Sequence, residues 1–217
     1  MSEAARLHMI DGQLRPNDIT DPGILSAFTA VARDSFVPRA AQAIAYADLS
    51  VEVAPGRFLM EPRTLGKLFQ FAQIGPEDRI LDVGCATGYS AAVLARLGGK
   101  VVALEQDADL LRTASEKLAT TSVVLVQGAL VEGARAEGPF DVIIIEGAVE
   151  QVPETLLAQL AEGGRLLAIV TKAGAGEHVT GHAVLYLKQH GSVGRRDLFD
   201  AAAPALAGFK KMMGFAF

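Results

Sequence analysis

Short apolar runs alternate with amphipathic stretches along most of the chain. Five runs rich in aliphatic and β-branched residues have the length and composition of strands, and Gly, Pro or a segment with helical spacing separates each from the next. The predicted strands are residues 79–84, 100–105, 122–127, 140–147 and 165–170. This alternation predicts an α/β fold, with a doubly wound, mostly parallel sheet covered by helices.

Helices are predicted before and between these strands. Pro22 and Pro62 both occupy first-turn positions, and the segment that follows Pro62 repeats apolar residues on one helical face. The predicted helices are residues 22–33, 61–73, 89–98, 107–119 and 152–164. The first of them lies in an N-terminal helical extension that precedes the sheet.

The C-terminal part predicts the edge of the sheet. Residues 172–178 are rich in glycine and predict a loop, whereas residues 182–189 alternate as in a strand that pairs antiparallel at the edge. Residues 208–217 could supply one more strand and complete a seven-stranded sheet. His178 and His182 are interpreted as loop histidines, so no metal site is predicted.

Composition narrows the class of protein. The 217 residues, half of them apolar, suffice for one domain with a sizeable core. A formal net charge of -5 argues against nucleic acid or an anionic membrane surface as the main partner. Residues 1–16 lack a secretory pattern, no apolar stretch would span a bilayer, and the single cysteine, Cys85, cannot form an intrachain disulfide. A cytoplasmic protein is expected.

The turn after the first predicted strand carries the candidate chemistry. Gly84 and Gly88 allow a ligand to approach the backbone where the next helix presents free N–H groups. A glycine pair alone is weak, because an ordinary structural turn would look the same. Glu105 strengthens the signal, since it ends the next strand about 20 residues after the turn. A carboxylate at this position can accept hydrogen bonds from ribose hydroxyls. A nucleoside ligand is predicted; Ala86 replaces the second glycine of the dinucleotide fingerprint, which makes an NAD-dependent oxidoreductase the less favoured alternative.

Several longer motifs extend this signal: LDVGCATGYSAAVLA followed by VVALEQD, and MIDGQLRPNDITDPGILSAF, FVP, AYAD, PFDVIIIEGA and QLAEGGRLLAIV. In these motifs the sequence resembles the protein-L-isoaspartate O-methyltransferase family of class I S-adenosylmethionine-dependent methyltransferases, which are Rossmann-like. This resemblance implies methyl esterification of isoaspartyl carboxylates in damaged proteins, with adenosylmethionine as the cofactor and adenosylhomocysteine as its product. The implied partners are isoaspartyl proteins or peptides, and either a monomer or a homodimer is expected.

The resemblance also implies roles for individual residues. The turn would approach the amino-acid part of the cofactor, Glu105 the ribose and the 128–130 loop the adenine, while Glu146 would border the reaction pocket. The implied cofactor-binding residues are Asp82, Gly84, Cys85, Ala86, Thr87, Gly88, Glu105, Gln106, Gly128, Ala129, Leu130 and Glu146. Residues 1–217 are expected to form a single methyltransferase domain, with 1–60 as the helical extension and pocket loop and 61–217 as the cofactor-binding core.

The pocket motif departs from the family. Family members carry G-Q-T-I-S-Q-P where this chain has residues 56–62, so Phe58 and Met60 replace a Thr and a Ser whose hydroxyls are associated with the catalytic pocket. The resemblance makes Met60 the candidate catalytic position, since it stands where the family has this Ser, and it implies Arg57, Phe58 and Leu59 as substrate-side residues. One hypothesis is that Arg57 or Arg63 holds the acceptor carboxylate instead. A paralogue with another acceptor, or a catalytically silent cofactor-binding protein, are the alternatives.

Overall fold

A computed structural model describes residues 3–172 and 178–211 of the chain. Its helices are α1 (Glu3–Met9), α2 (Pro22–Ala30), α3 (Pro62–Ala72), α4 (Tyr89–Leu97), α5 (Ala108–Leu118) and α6 (Glu154–Leu157). Its strands are β1 (Val51–Ala54), β2 (Arg57–Leu59), β3 (Arg79–Val83), β4 (Lys100–Glu105), β5 (Val124–Gln127), β6 (Phe140–Val149), β7 (Leu160–Val170), β8 (His178–Gln189) and β9 (Ser192–Pro204). No helix in these described ranges is both long and apolar enough to cross a membrane.

The main sheet has seven described strands in the order β5-β4-β3-β6-β7-β8-β9. The first five are parallel, and β8 and β9 extend the edge by antiparallel pairing. This confirms the predicted α/β, Rossmann-like architecture with an antiparallel edge. The carboxyl ends of β3, β4, β5 and β6 meet along one side of the sheet, where ligands bind in folds of this kind.

Apolar residues cover both faces of the sheet, as the uninterrupted apolar run of β6 predicts. One buried cluster joins the sheet to α2–α5 and reaches Met9 in the N-terminal segment. The other joins the opposite face to α6 and to the chain after β9, through Leu206 and Phe209. The N-terminal helical extension therefore packs into the same core as the sheet.

Three predictions at the edges of elements are wrong. The helix predicted at 152–164 is reduced to α6, because β7 begins at Leu160 and pairs there with Phe140. The seventh strand is β9 and not a strand within residues 208–217: residues 208–211 have no strand structure, and residues 212–217 of that prediction lie outside the described range. His178 and His182 lie in β8 rather than in a loop. Of the loop predicted at 172–178, the structure describes residues 172 and 178 alone.

Candidate active site

The glycine turn closes over the ends of β3 and β4. Gly84 (φ +83°) and Gly88 (φ +91°) lie in the left-handed region that favours glycine, and Ala86 (φ +50°) joins them there. The backbone N–H groups of Gly84 and Cys85 donate to the Leu104 carbonyl oxygen at 2.8 and 3.2 Å. The turn is thus fixed to the strand that ends in Glu105, and the predicted juxtaposition of turn and carboxylate is present.

The rest of the turn is anchored to the protein interior. The Thr87 hydroxyl donates to the Phe36 carbonyl oxygen at 2.6 Å, which ties the FVP segment to the turn. Ser90 donates to Asp82 Oδ2 at 2.7 Å. Cys85 is buried, and its burial raises the pKa of the thiol well above its ordinary value. A protonated, enclosed thiol is part of the core packing.

Glu105 is completely buried and fully engaged. Its Oε1 accepts hydrogen bonds from Arg57 Nη1 at 2.5 Å and from the backbone N–H groups of Gln106 and Asp107 at 2.8 and 3.0 Å. Its Oε2 accepts from Arg57 Nη2 at 2.7 Å and from the Ala86 N–H at 2.9 Å. The Arg57 guanidinium is therefore bound to the carboxylate that the sequence assigns to the ribose.

The loop after β5 lies beside the same carboxylate residue. The Gly128 N–H donates to the Glu105 carbonyl oxygen at 3.1 Å. Leu130 is buried in the core, whereas Ala129 and Gln106 are exposed. The structure thus joins Gly128, the first of the three predicted adenine-side residues, directly to the strand end that carries Glu105.

Asp82 and Glu146 are two further acidic residues that are buried in the site. Asp82 Oδ1 and Glu146 Oε1 are buried and have no hydrogen-bond partner among the described residues. Burial is the main cause that raises the pKa of Asp82 to about 7. The Ser90 hydrogen bond lowers this pKa, and the charge of Glu105 raises it further. Burial and the charge of Asp82 raise the pKa of Glu146 well above its ordinary range, while Arg33 opposes this rise. Two unsatisfied carboxylate oxygens therefore provide places for a cationic group.

The raised pKa of Asp82 makes stability depend on pH. The folded chain binds a proton at Asp82 more tightly than the unfolded chain does, so Asp82 destabilises the fold progressively as pH rises from 3.8 to about 7. In Asp82→Asn the amide oxygen still accepts the Ser90 hydrogen bond. We expect the free energy of unfolding of this variant to increase relative to that of wild type as the pH rises from about 5 to about 8. Urea unfolding across this range checks it; a difference between the two proteins that does not change with pH would contradict it.

Arg33 is a functional-site neighbour that sequence reasoning missed. Its side chain is fully buried, and its guanidinium lies 4.8 Å from the ring centroid of Tyr89. It donates to the carbonyl oxygens of Ala45, Leu59 and Met60 at 2.8, 3.4 and 2.7 Å. Arg33 therefore holds the segment of the divergent pocket motif in place. Arg33 ends the helix predicted at 22–33 and is followed by Asp34 and Ser35, so the sequence gives no sign that it will be buried.

The substrate-side residues divide by burial. Leu59 and Met60 are 4% and 2% exposed and belong to the core, whereas Phe58 is half-buried. Arg57 is directed to Glu105 rather than outward, and Arg63 pairs with Asp48 and Glu61. The structure thus turns Arg57 toward Glu105 and gives both arginines carboxylate partners from the chain itself.

The chain after β9 contributes a second feature that the sequence did not predict. The Leu206 N–H donates to the Ala148 carbonyl oxygen at 2.8 Å, and the Phe209 carbonyl oxygen accepts from the Glu150 N–H at 3.2 Å. A Cβ placed on Gly84 would lie 3.3 Å from Leu206 Cδ2. Residues 205–209 therefore cover the end of β6 beside the glycine turn.

The sheet order, the glycine turn and the carboxylate at the end of the neighbouring strand define a Rossmann-like methyltransferase of class I. The model of the family Protein-L-isoaspartate(D-aspartate) O-methyltransferase matches residues 5–193. The chain belongs to this family, whose members are adenosylmethionine-dependent enzymes.

Individual relatives agree with this assignment. The chain is 38% identical over 165 residues to a protein-L-isoaspartate O-methyltransferase of Koribacter versatilis, covering 75% of this chain and 74% of that one. It is 38% identical over 169 residues to one from Methylorubrum populi, covering 77% and 80%.

Solved structures show the same fold. One, a protein-L-isoaspartate O-methyltransferase, has a TM-score of 0.81 at 23% identity and covers 94% of this chain and 67% of that chain. Another, a Plasmodium falciparum protein assigned to the same family and solved with S-adenosyl-L-homocysteine, has a TM-score of 0.75 at 20% identity and covers 93% and 97%.

Proposed function

We propose that this chain transfers the methyl group of S-adenosylmethionine to the carboxylate of isoaspartyl residues in proteins or peptides. The observation that carries the proposal is the glycine turn fixed beside Glu105, in a chain that matches the family over residues 5–193. Residues 1–60 and 61–217 act together as one domain in this proposal. The shared core that links Met9 to the sheet supports this organisation.

The residues of the site suit most of this cofactor. Backbone groups of Gly84 and Gly88 would face its amino-acid part, and the 128–130 loop its adenine. Asp82 and Glu146 each have an unpaired oxygen, and a bound ligand that carries an ammonium and a sulfonium would favour the ionised form of both side chains. Glu105 would accept hydrogen bonds from the ribose hydroxyls, but in this conformation the Arg57 guanidinium is bound to its carboxylate. The cofactor, when bound, supplies the electrophilic methyl group.

The acceptor needs little acid–base help. An isoaspartyl carboxylate is already ionised near neutral pH, so the protein's work is to exclude water and align the nucleophile. Phe58 and Met60 offer no hydroxyl to orient that carboxylate. Met60 is packed in the core, where its backbone oxygen is held by Arg33. Orientation by this segment would therefore depend on its backbone and shape.

The test is transfer of labelled methyl from adenosylmethionine to an isoaspartyl peptide, with the same peptide carrying normal aspartate as the control. We expect labelling of the isoaspartyl peptide and background labelling of its twin. Labelling of neither peptide by folded protein that binds the cofactor would contradict the proposal. That outcome would favour a different acceptor, for which the replacement of both pocket hydroxyls by Phe58 and Met60 is the specific structural reason.

A further inference from the structure

We propose that Arg57 is a latch that closes the ribose position of the cofactor site, so that adenosylmethionine binds only after its guanidinium leaves Glu105. This inference rests on the proposed function, because it concerns the same site. It assigns to Arg57 a control of cofactor affinity instead of contact with the methyl acceptor.

The hydrogen-bonding capacity of Glu105 is already used within the chain. Its two oxygens already accept from two Arg57 nitrogens and from the N–H groups of Ala86, Gln106 and Asp107. An ionised carboxylate offers about four lone-pair sites, so these five donors saturate it. The three backbone donors belong to the turn and the strand end and are fixed. Arg57 is therefore the partner that ribose hydroxyls must replace.

Arg57 also occupies the space beside Glu105. Arg57 is 8% exposed and Glu105 is 0% exposed, so the described residues leave no open path to the carboxylate beside the guanidinium. Arg57 Nη2 also donates to the Gly84 carbonyl oxygen at 3.3 Å. A Cβ placed on Gly84 would lie 3.5 Å from Arg57 Nη2 and 3.3 Å from Leu206 Cδ2. Arg57 thus also covers the glycine that a ligand would have to approach.

Arg57 lies at the turn end of its strand, ahead of the Leu59 and Met60 carbonyl groups that Arg33 holds. Arg57 begins β2, which pairs with β1 in a two-stranded hairpin separate from the seven-stranded sheet. Gly56, immediately before it, has a φ of +68° and is exposed in the turn of that hairpin. The guanidinium can therefore leave Glu105 without breaking any hydrogen bond of the main sheet.

A closed latch weakens apparent affinity. The apparent dissociation constant is the intrinsic one divided by the fraction of molecules in the open state. Removing the guanidinium raises that fraction toward one. The ligand's hydroxyls then supply donors to a carboxylate that the substitution has left short of them.

The test is calorimetric titration of wild type, Arg57→Gln and the charge-matched control Arg112→Gln with S-adenosylhomocysteine and, separately, S-adenosylmethionine. Arg112 has a 69% exposed side chain and pairs with Asp109 at the surface. We expect Arg57→Gln to bind both compounds at least about tenfold more tightly than wild type, and Arg112→Gln to bind as wild type does. The gain must be similar for the two compounds, since they share the ribose and differ in the sulfonium charge.

Three results would overturn the latch. If wild type binds both compounds and Arg57→Gln binds them equally or more weakly, the latch is contradicted and the proposed function is not. A gain confined to S-adenosylmethionine assigns the effect to charge alone. Binding by neither protein overturns both the latch and the proposed function. If Arg57→Gln does not fold, Arg57→Lys replaces it, because an ammonium cannot make the bidentate pair; it must also bind S-adenosylhomocysteine more tightly than wild type does.

Discussion

Replacing Glu105 with alanine is expected to lower the free energy of unfolding by about 3 to 5 kcal/mol, the usual cost of removing one partner of a buried ion pair. The substitution leaves the Arg57 guanidinium enclosed without its carboxylate. It also deprives the N–H groups of Ala86, Gln106 and Asp107 of their acceptor. Urea unfolding followed by far-ultraviolet circular dichroism at neutral pH measures the loss.

An exposed ion pair provides the matched control for this prediction. Arg112 Nη2 lies 2.7 Å from Asp109 Oδ1, and the two side chains are 69% and 87% exposed. Asp109→Ala is expected to cost less than about 1 kcal/mol, because water screens such a pair. A loss for Glu105→Ala as small as the loss for Asp109→Ala would show that the buried pair does not hold the turn and the hairpin together.

Replacing Arg33 with methionine is expected to cost about 3 to 5 kcal/mol, because three buried carbonyl oxygens lose their donor at once. Those oxygens belong to Ala45, Leu59 and Met60, so the substitution frees the segment that enters the pocket. The contact of the guanidinium with Tyr89 is lost as well.

Arg15→Met is the control for the Arg33 prediction. Arg15 pairs with Asp11 on the surface, with 59% of its side chain exposed. Both variants are compared with wild type by urea unfolding, and Arg15→Met is expected to stay within about 0.5 kcal/mol. Near-equal losses for the two arginine variants would mean that burial of Arg33 contributes nothing to the pocket segment.

Local patterns predicted the centre of the fold well. β4 matches its predicted residues 100–105, and α4 begins at Tyr89 and ends before Gly98, because strand composition and glycine punctuation act within a few residues. β9 was missed because the first half of it, including Arg195, Arg196 and Asp197, is exposed and lacks alternation. Its pairing is set by the turn at His190 and Gly191, both with positive φ, and by β8 beside it.

The site was predictable only where its residues are close in sequence or set by sheet order. The turn and Glu105 follow from two adjacent parallel strands, so their juxtaposition was correctly expected. Arg57 and Glu105 are 48 positions apart, and the short hairpin that brings Arg57 to the site has no strong strand pattern. The burial of Arg33 and the docking of Leu206 likewise depend on tertiary packing, which a single sequence does not reveal.

Initial rates of methyl transfer to an isoaspartyl peptide, measured against adenosylmethionine concentration for wild type and Arg57→Gln, test most directly whether this chain is a methyltransferase whose cofactor site is closed by its own arginine. We expect both proteins to label the peptide, with the KM for adenosylmethionine at least about tenfold lower in Arg57→Gln and kcat little changed. Labelling by neither protein would contradict the assigned reaction. Labelling by both with an unchanged KM would contradict the closure by Arg57.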